Sequence, residues 1–199
     1  MTCKKDNIRQ CKSSRKNFKS LEDIVAAYEK DRQEEAEKEL QYYVELPSFE
    51  DVVKQAALAK GPWEGTHDHQ NKYGVAARLP EFAESLLEAL PELKKSASFD
   101  ELYNAIEARR VYRVGKLTVY DTALRIGANL KIEPTNVYLH RGAKKGAEYL
   151  GITPRGRRFI SVDELCDKLR STAFRKLKPR EIEDCLCIYK DAFKEEGVL

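Results

Sequence analysis

The sequence predicts an all-α protein, a compact globule of about eight helices. Three observations point there. Apolar residues recur at three- and four-residue spacing in most segments, serines stand three positions ahead of an acidic residue at several segment starts, and no run alternates apolar and polar residues as a half-buried strand does. Glycine and proline are sparse, 10 and 7 in 199 residues, so connections between helices should be short.

Taken in order, residues 1–20 have no apolar periodicity and too few large apolar groups to offset the entropy of ordering, so they read as a flexible basic arm. Ser20 with Asp23 caps a long helix over residues 21–46, in which Leu21, Ile24, Val25 and Tyr28 give way to a polar middle. Its acidic run, residues 34–39, is expected to be an exposed face. After Pro47, Ser48 with Asp51 starts a helix to about Ala59 that buries Val52, Val53, Ala56 and Ala57. A loop at 61–65 should anchor Trp63 in the core, and Thr66 should cap a helix opening with His67, Asp68 and His69. Pro80 begins a helix to Leu90, and Pro91 interrupts it.

Ser98 with Glu101 starts the next helix, striped by Phe99, Leu102, Tyr103 and Ile106. It leads into residues 111–150, read as a helix end, a tight turn at Val114-Gly115-Lys116, a second helix, a proline-initiated turn, and a third helix from Pro134 to Leu150. Gly151 is placed as a helix C-cap, and a basic loop follows. Ser161 with Glu164 caps a helix to about Leu169, and Pro179 opens the last helix, with Ile182, Leu186, Tyr189 and Phe193 on one face. Residues 21–199 are expected to form one all-helical domain, with a basic sub-region at 107–180.

Composition excludes several classes. No run reaches the eighteen or so apolar residues of a membrane span, and the first thirty residues lack the apolar centre of a secretory signal, so an intracellular place, cytoplasmic or nucleoid/nuclear, is expected. Cys3, Cys11, Cys166, Cys185 and Cys187 show neither CxxC spacing nor a disulfide rhythm and read as free thiols. The signatures GxSxG, GxxxxGK[ST] and GxGxxG are absent, and no cofactor is expected. His67 and His69 diverge on a helix, no zinc spacing is present, and no metal is expected.

The net charge of +3 conceals a division. Lys/Arg against Asp/Glu stand at 7 to 1 in residues 1–20, 9 to 19 in 21–106, 18 to 7 in 107–180 and 2 to 6 in 181–199. A phosphate backbone responds to the local field, so the basic block matters more than the total. Within it, a turn before a helix leaves backbone N–H groups that can face a phosphate; Gly115 permits close approach, and Arg113 and Lys116 add charge. Arg141, Lys144 and Lys145 share a helix face, and Arg155, Arg157 and Arg158 follow. Gly142 and Gly146, four apart, suit close approach by a neighbouring helix or a ligand, helix packing being the preferred reading.

Val114, Gly115 and Thr118 match the turn and helix start of the helix-hairpin-helix motif, which this stretch resembles; Arg113 occupies that motif's first glycine position and Val119 its alanine. The resemblance extends distantly, over about residues 98–152, to the helix-hairpin-helix DNA glycosylase superfamily and implies DNA as the ligand. Leu117 stands where bifunctional members keep a nucleophilic lysine, and Pro134-Thr135-Asn136 where the family keeps an aspartate, so the family's catalytic residues are not matched. Glu133, Asp121 and His140 are weak catalytic candidates, and Asp121 is expected to pair with Arg125 four residues on.

These readings converge on a nucleic-acid-binding protein that contacts backbone phosphates through Arg113, Val114, Gly115, Lys116, Thr118, Arg141, Lys144, Lys145, Arg155, Arg157 and Arg158. Two alternatives are a divergent glycosylase-like or lyase-like repair enzyme, and an interaction module whose acidic residues 21–106 meet a protein partner.

Overall fold

Four serines that stand three positions ahead of an acidic residue do cap helices. Ser20, Ser48, Ser98 and Ser161 accept hydrogen bonds from the backbone N–H of Asp23, Asp51, Glu101 and Glu164 at 3.0–3.2 Å. The computed structural model describes residues 18–62 and 74–194. Expectations for the basic arm, Trp63, Thr66, the first two histidines, Cys3 and Cys11 lie outside the described residues.

The described chain is mostly helical, as expected. Its α-helices are α1 (Leu21–Tyr28), α2 (Glu34–Val44), α3 (Phe49–Ala57), α4 (Leu79–Leu87), α5 (Leu90–Lys94), α6 (Phe99–Ala108), α7 (Lys116–Leu130), α8 (Arg141–Tyr149), α9 (Val162–Leu169) and α10 (Pro179–Ile188). Among the described residues no helix is long and apolar enough to cross a membrane.

Two apolar cores share this framework. One joins α1 to the C-terminal part of the chain through Ile24, Val25, Tyr28, Val137, Ala147, Leu165, Phe174 and Leu186. The other is built from α3 to α7 around Val52, Phe82, Leu86, Leu102, Ile106, Val119 and Ile126. The long helix expected over residues 21–46 runs between them, and it is not uniformly α: Glu29–Gln33 is a π-helical turn that buries no residue. Its wider turn rotates the helix face between Tyr28, which belongs to the first core, and Tyr43, which belongs to the second.

The seam between the cores is a feature that periodicity did not predict. Val137–Tyr138 (β1) and Phe159–Ile160 (β2) form a two-residue antiparallel ladder, Val137 opposite Ile160 and Tyr138 opposite Phe159. Alternate strand residues face opposite sides, so Val137 and Ile160 enter the first core while Tyr138 and Phe159 pack on the second. Tyr138 lies 5.1–5.8 Å from the rings of Phe99, Tyr103, Tyr120 and Phe159. The helix expected from Pro134 therefore starts only at Arg141, because the preceding residues are spent on this ladder.

Close packing of α8 on α10 accounts for two glycines. A Cβ on Gly142 would fall 2.1 Å from Cys187 Sγ, and one on Gly146 2.1 Å from the Leu186 carbonyl oxygen. The preferred reading of these glycines as a helix-packing surface holds. Among the described cysteines, Cys166, Cys185 and Cys187 are free, and burial pushes each thiol above its ordinary pKa.

Candidate nucleic-acid interface

The connection from α6 to α7 is longer than the tight turn expected at 114–116, running from Arg109 to Gly115. Val114 turns inward, is 2 % exposed and has its N–H bonded to the Val111 carbonyl, so this expected contact is closed to a ligand; Thr118 is buried as well. Arg113, at the first glycine position of the resemblance, has φ +70°, the left-handed region that favours glycine. Gly115 is the N-cap of α7 with φ −88° and nothing within 4 Å of where a Cβ would sit. Its backbone is open to approach, and its conformation suits any residue.

Helix starts separate into two kinds. Every other described α-helix carries an acidic residue in its first turn, as the macrodipole favours. α7 and α8 carry none there, begin with the exposed cations Lys116 and Arg141, and have no side-chain cap. Tyr120, one turn into α7, lies 5.3 Å ring to ring from His140, the N-cap of α8, which links the two helices at the seam.

The structure also divides the basic block. Arg109, Arg125, Arg157, Lys168, Arg175, Lys176, Lys178 and Arg180 pair with carboxylates. Arg157 holds Glu164 with two bonds of 2.8 Å. Arg158 lies over the rings of Tyr103, Tyr138 and Phe159 and donates to Asn104 at 2.6 Å, which makes it a clasp on the aromatic seam. Lys145 bonds Glu148 at 3.4 Å and remains on the exposed face of α8. Arg113, Lys116, Arg141, Lys144 and Arg155 form no ion pair among the described residues. Of the candidate contacts, these five are left without a carboxylate partner among the described residues.

Two features near the turn carried no separate sequence signal. Tyr112 is 71 % exposed, with the guanidinium groups of Arg113 and Arg78 at 5.5 and 5.9 Å from its ring centre. A small polar cleft of about 60 Å³ opens between α2, α7 and α10, lined in part by Glu39, Asp121, Arg125, Arg180, Glu183 and Asp184. The acidic run of α2, expected to be merely exposed, supplies part of it. Glu39 reaches the fully buried Arg125 at 3.1 Å, and Glu37 pairs with Arg180. Arg125 also donates to the Ala56 carbonyl at 3.4 Å; burial opposes its charge, while Tyr43, Glu39 and Asp121 outweigh that and hold the guanidinium protonated. Asp121 thus acts on Arg125 through its field, and Glu39 supplies the salt bridge.

The three weak catalytic candidates surround this region. Asp121 lines the cleft, and Glu133 pairs with Lys178 at 3.2 Å and with Arg180 at 3.7 Å. His140 lies behind the cleft wall, its Nε2 against Glu183 Oε1, both side chains 5 % exposed. Burial pulls the imidazole pKa down, but the field and bond of Glu183 outweigh it and hold the ring charged above its ordinary range. Among the described residues no group of three or more His, Cys, Asp or Glu side chains is arranged to hold a metal ion.

Comparison of this chain with protein-family models, curated proteins and solved structures gives no match.

Proposed function

We propose that this protein binds nucleic acid through its sugar-phosphate backbone, with DNA favoured by the helix-hairpin-helix resemblance. The observation that supports the reading is that α7 and α8, alone among the described α-helices, start with an exposed cation and carry no acidic residue in the first turn, and the Tyr120–His140 ring contact links them. Backbone amides and a positive dipole end attract a phosphate oxygen, and the flanking Arg113, Lys116, Arg141 and Lys144 extend that attraction along a strand. Such contacts position a backbone without reading bases, so binding should be weakly sequence-specific and steeply salt-dependent.

The test is equilibrium binding of DNA and RNA oligonucleotides titrated against salt. Lys116→Glu and Arg141→Glu/Lys145→Glu should weaken binding, and each lost phosphate contact should flatten the log–log salt slope by about 0.9 for duplex DNA. Lys38→Glu, which alters an exposed cation on α2, serves as the charge control. If the α7 and α8 variants lose no more affinity than the control, the reading is wrong.

A second reading, a glycosylase-like or lyase-like enzyme, is favoured by the placement of Asp121 and the His140-backed Glu183 at one cleft. Cleavage or depurination of lesion-bearing oligonucleotides that disappears in both Asp121→Asn and Glu183→Gln would support it; binding without any chemistry in the wild type would remove it.

A further inference from the structure

Tyr112 is out of keeping with the other aromatic residues of this fold. Tyr28, Tyr43, Tyr103, Tyr120, Tyr138 and Tyr189 are all buried, whereas Tyr112 is 71 % exposed; the only other exposed large apolar residue among the described ones is Val44, at 41 %. An aromatic ring left in water forgoes its transfer free energy, and among the described residues only two cation–π contacts offset that loss. Its environment is cationic. Arg113 and Arg78 approach the ring centre to 5.5 and 5.9 Å, within cation–π range, and still leave the ring 71 % exposed. Arg113 reaches this position from φ +70°, a backbone conformation unfavourable for a side-chain-bearing residue. Gly115 and Lys116, the open start of α7, follow within four residues.

We infer that Tyr112, with Arg78 and Arg113, is a stacking platform for an unpaired base, and that the ligand of this surface is single-stranded nucleic acid. The inference rests on the nucleic-acid reading above and narrows it. Bases inside a duplex stack on one another and present no free π-face, so only a single strand, a loop or an end can lay a base on Tyr112. Arg113 and Lys116, which form no ion pair among the described residues, flank the ring for the neighbouring phosphates, while Arg78 is held by Glu81 at 3.1 Å and contributes its guanidinium to the ring. Stacking accepts any base, consistent with a surface that offers cations and backbone amides.

The experiment measures fluorescence anisotropy of a labelled single-stranded DNA, a single-stranded RNA of the same sequence, and the corresponding blunt DNA duplex. The proteins compared are the wild type, Tyr112→Ala, Tyr112→Phe and Lys116→Glu. Wild type should prefer at least one single strand to the duplex. Tyr112→Ala should lose about tenfold or more in single-strand affinity with the duplex affinity unchanged, Tyr112→Phe should keep wild-type binding, and Lys116→Glu should weaken both forms. Tyr112 is exposed, so its variants should fold as the wild type does, and equal melting temperatures check this. If Tyr112→Ala leaves single-strand binding intact, or weakens both forms equally, the platform is refuted while the backbone-binding reading stands. If the wild type binds no oligonucleotide at low salt, both fall.

Discussion

His140 Nε2 meets Glu183 Oε1 in an ion pair that is almost wholly buried, at the point where the start of α8 crosses α10. A cation at a helix N-terminus is opposed by the dipole, so Glu183 must outweigh both the dipole and burial. The His140 pKa is raised on folding from an ordinary 6.5. A raised folded-state pKa means that the folded protein binds the proton more tightly than the unfolded chain, so this contribution is fully present below about pH 6.5 and is lost as pH rises through the folded value. Melting temperatures measured from pH 5 to 9 should fall across that window in the wild type, and the His140→Gln variant should lack this component of the fall.

Glu39 and Arg125 make the complementary prediction for the cleft. Removing Glu39 leaves a guanidinium that is 2 % exposed without its salt bridge, and Glu39→Ala should destabilise by about 3–5 kcal/mol in urea unfolding. The double replacement Glu39→Leu/Arg125→Met should recover much of that loss, since apolar groups need no compensating charge. A double variant as unstable as the single one would contradict this account.

Tyr120 is 1 % exposed, and its hydroxyl has no hydrogen-bond partner among the described residues. Burial, with Glu183, Asp184 and Asp121 close by, raises its pKa well above the ordinary value, which keeps the group neutral. Tyr120→Phe should therefore leave thermal stability unchanged or raise it slightly, in contrast to Tyr138→Phe, which removes the bond donated to Asp100. A marked fall in the Tyr120→Phe melting temperature would show that the hydroxyl is bonded.

Gly142 and Gly146 should differ in tolerance although both face α10. Alanine at Gly146 meets a backbone carbonyl, whereas alanine at Gly142 meets the Cys187 side chain, which can turn aside. Gly146→Ala should cost at least the roughly 1–3 kcal/mol typical of overpacking, and Gly142→Ala less. Chemical denaturation of the two variants orders them; the reverse order would place the tight contact elsewhere.

Gly115→Ala separates fold from ligand. With φ −88° and open space around the Cβ position, the variant should melt like the wild type. Its methyl group would stand at the backbone amides proposed to meet a phosphate, so oligonucleotide affinity should fall severalfold.

The capped helix starts and most of the apolar faces behind them are local and legible in the order of the residues. A serine bonding the N–H three residues on is a local event, and Ile182 and Leu186 share a buried face by helical spacing; Tyr189 and Phe193, expected on the same helix, are buried too but lie past its end at Ile188. Tertiary structure decided what depends on distant residues. Val137 and Tyr138 became a strand because Phe159 and Ile160 pair with them and each face is claimed by a different core. Arg125 bonds Glu39, 86 residues away, because burial made a strong partner necessary and the turn of α2 brought that one within reach. The same folding chose which cations were spent internally and which were left for a ligand. Arg157 and Arg158 look like Arg113 and Arg141 in sequence, and only the carboxylates and aromatic rings packed beside them tell them apart.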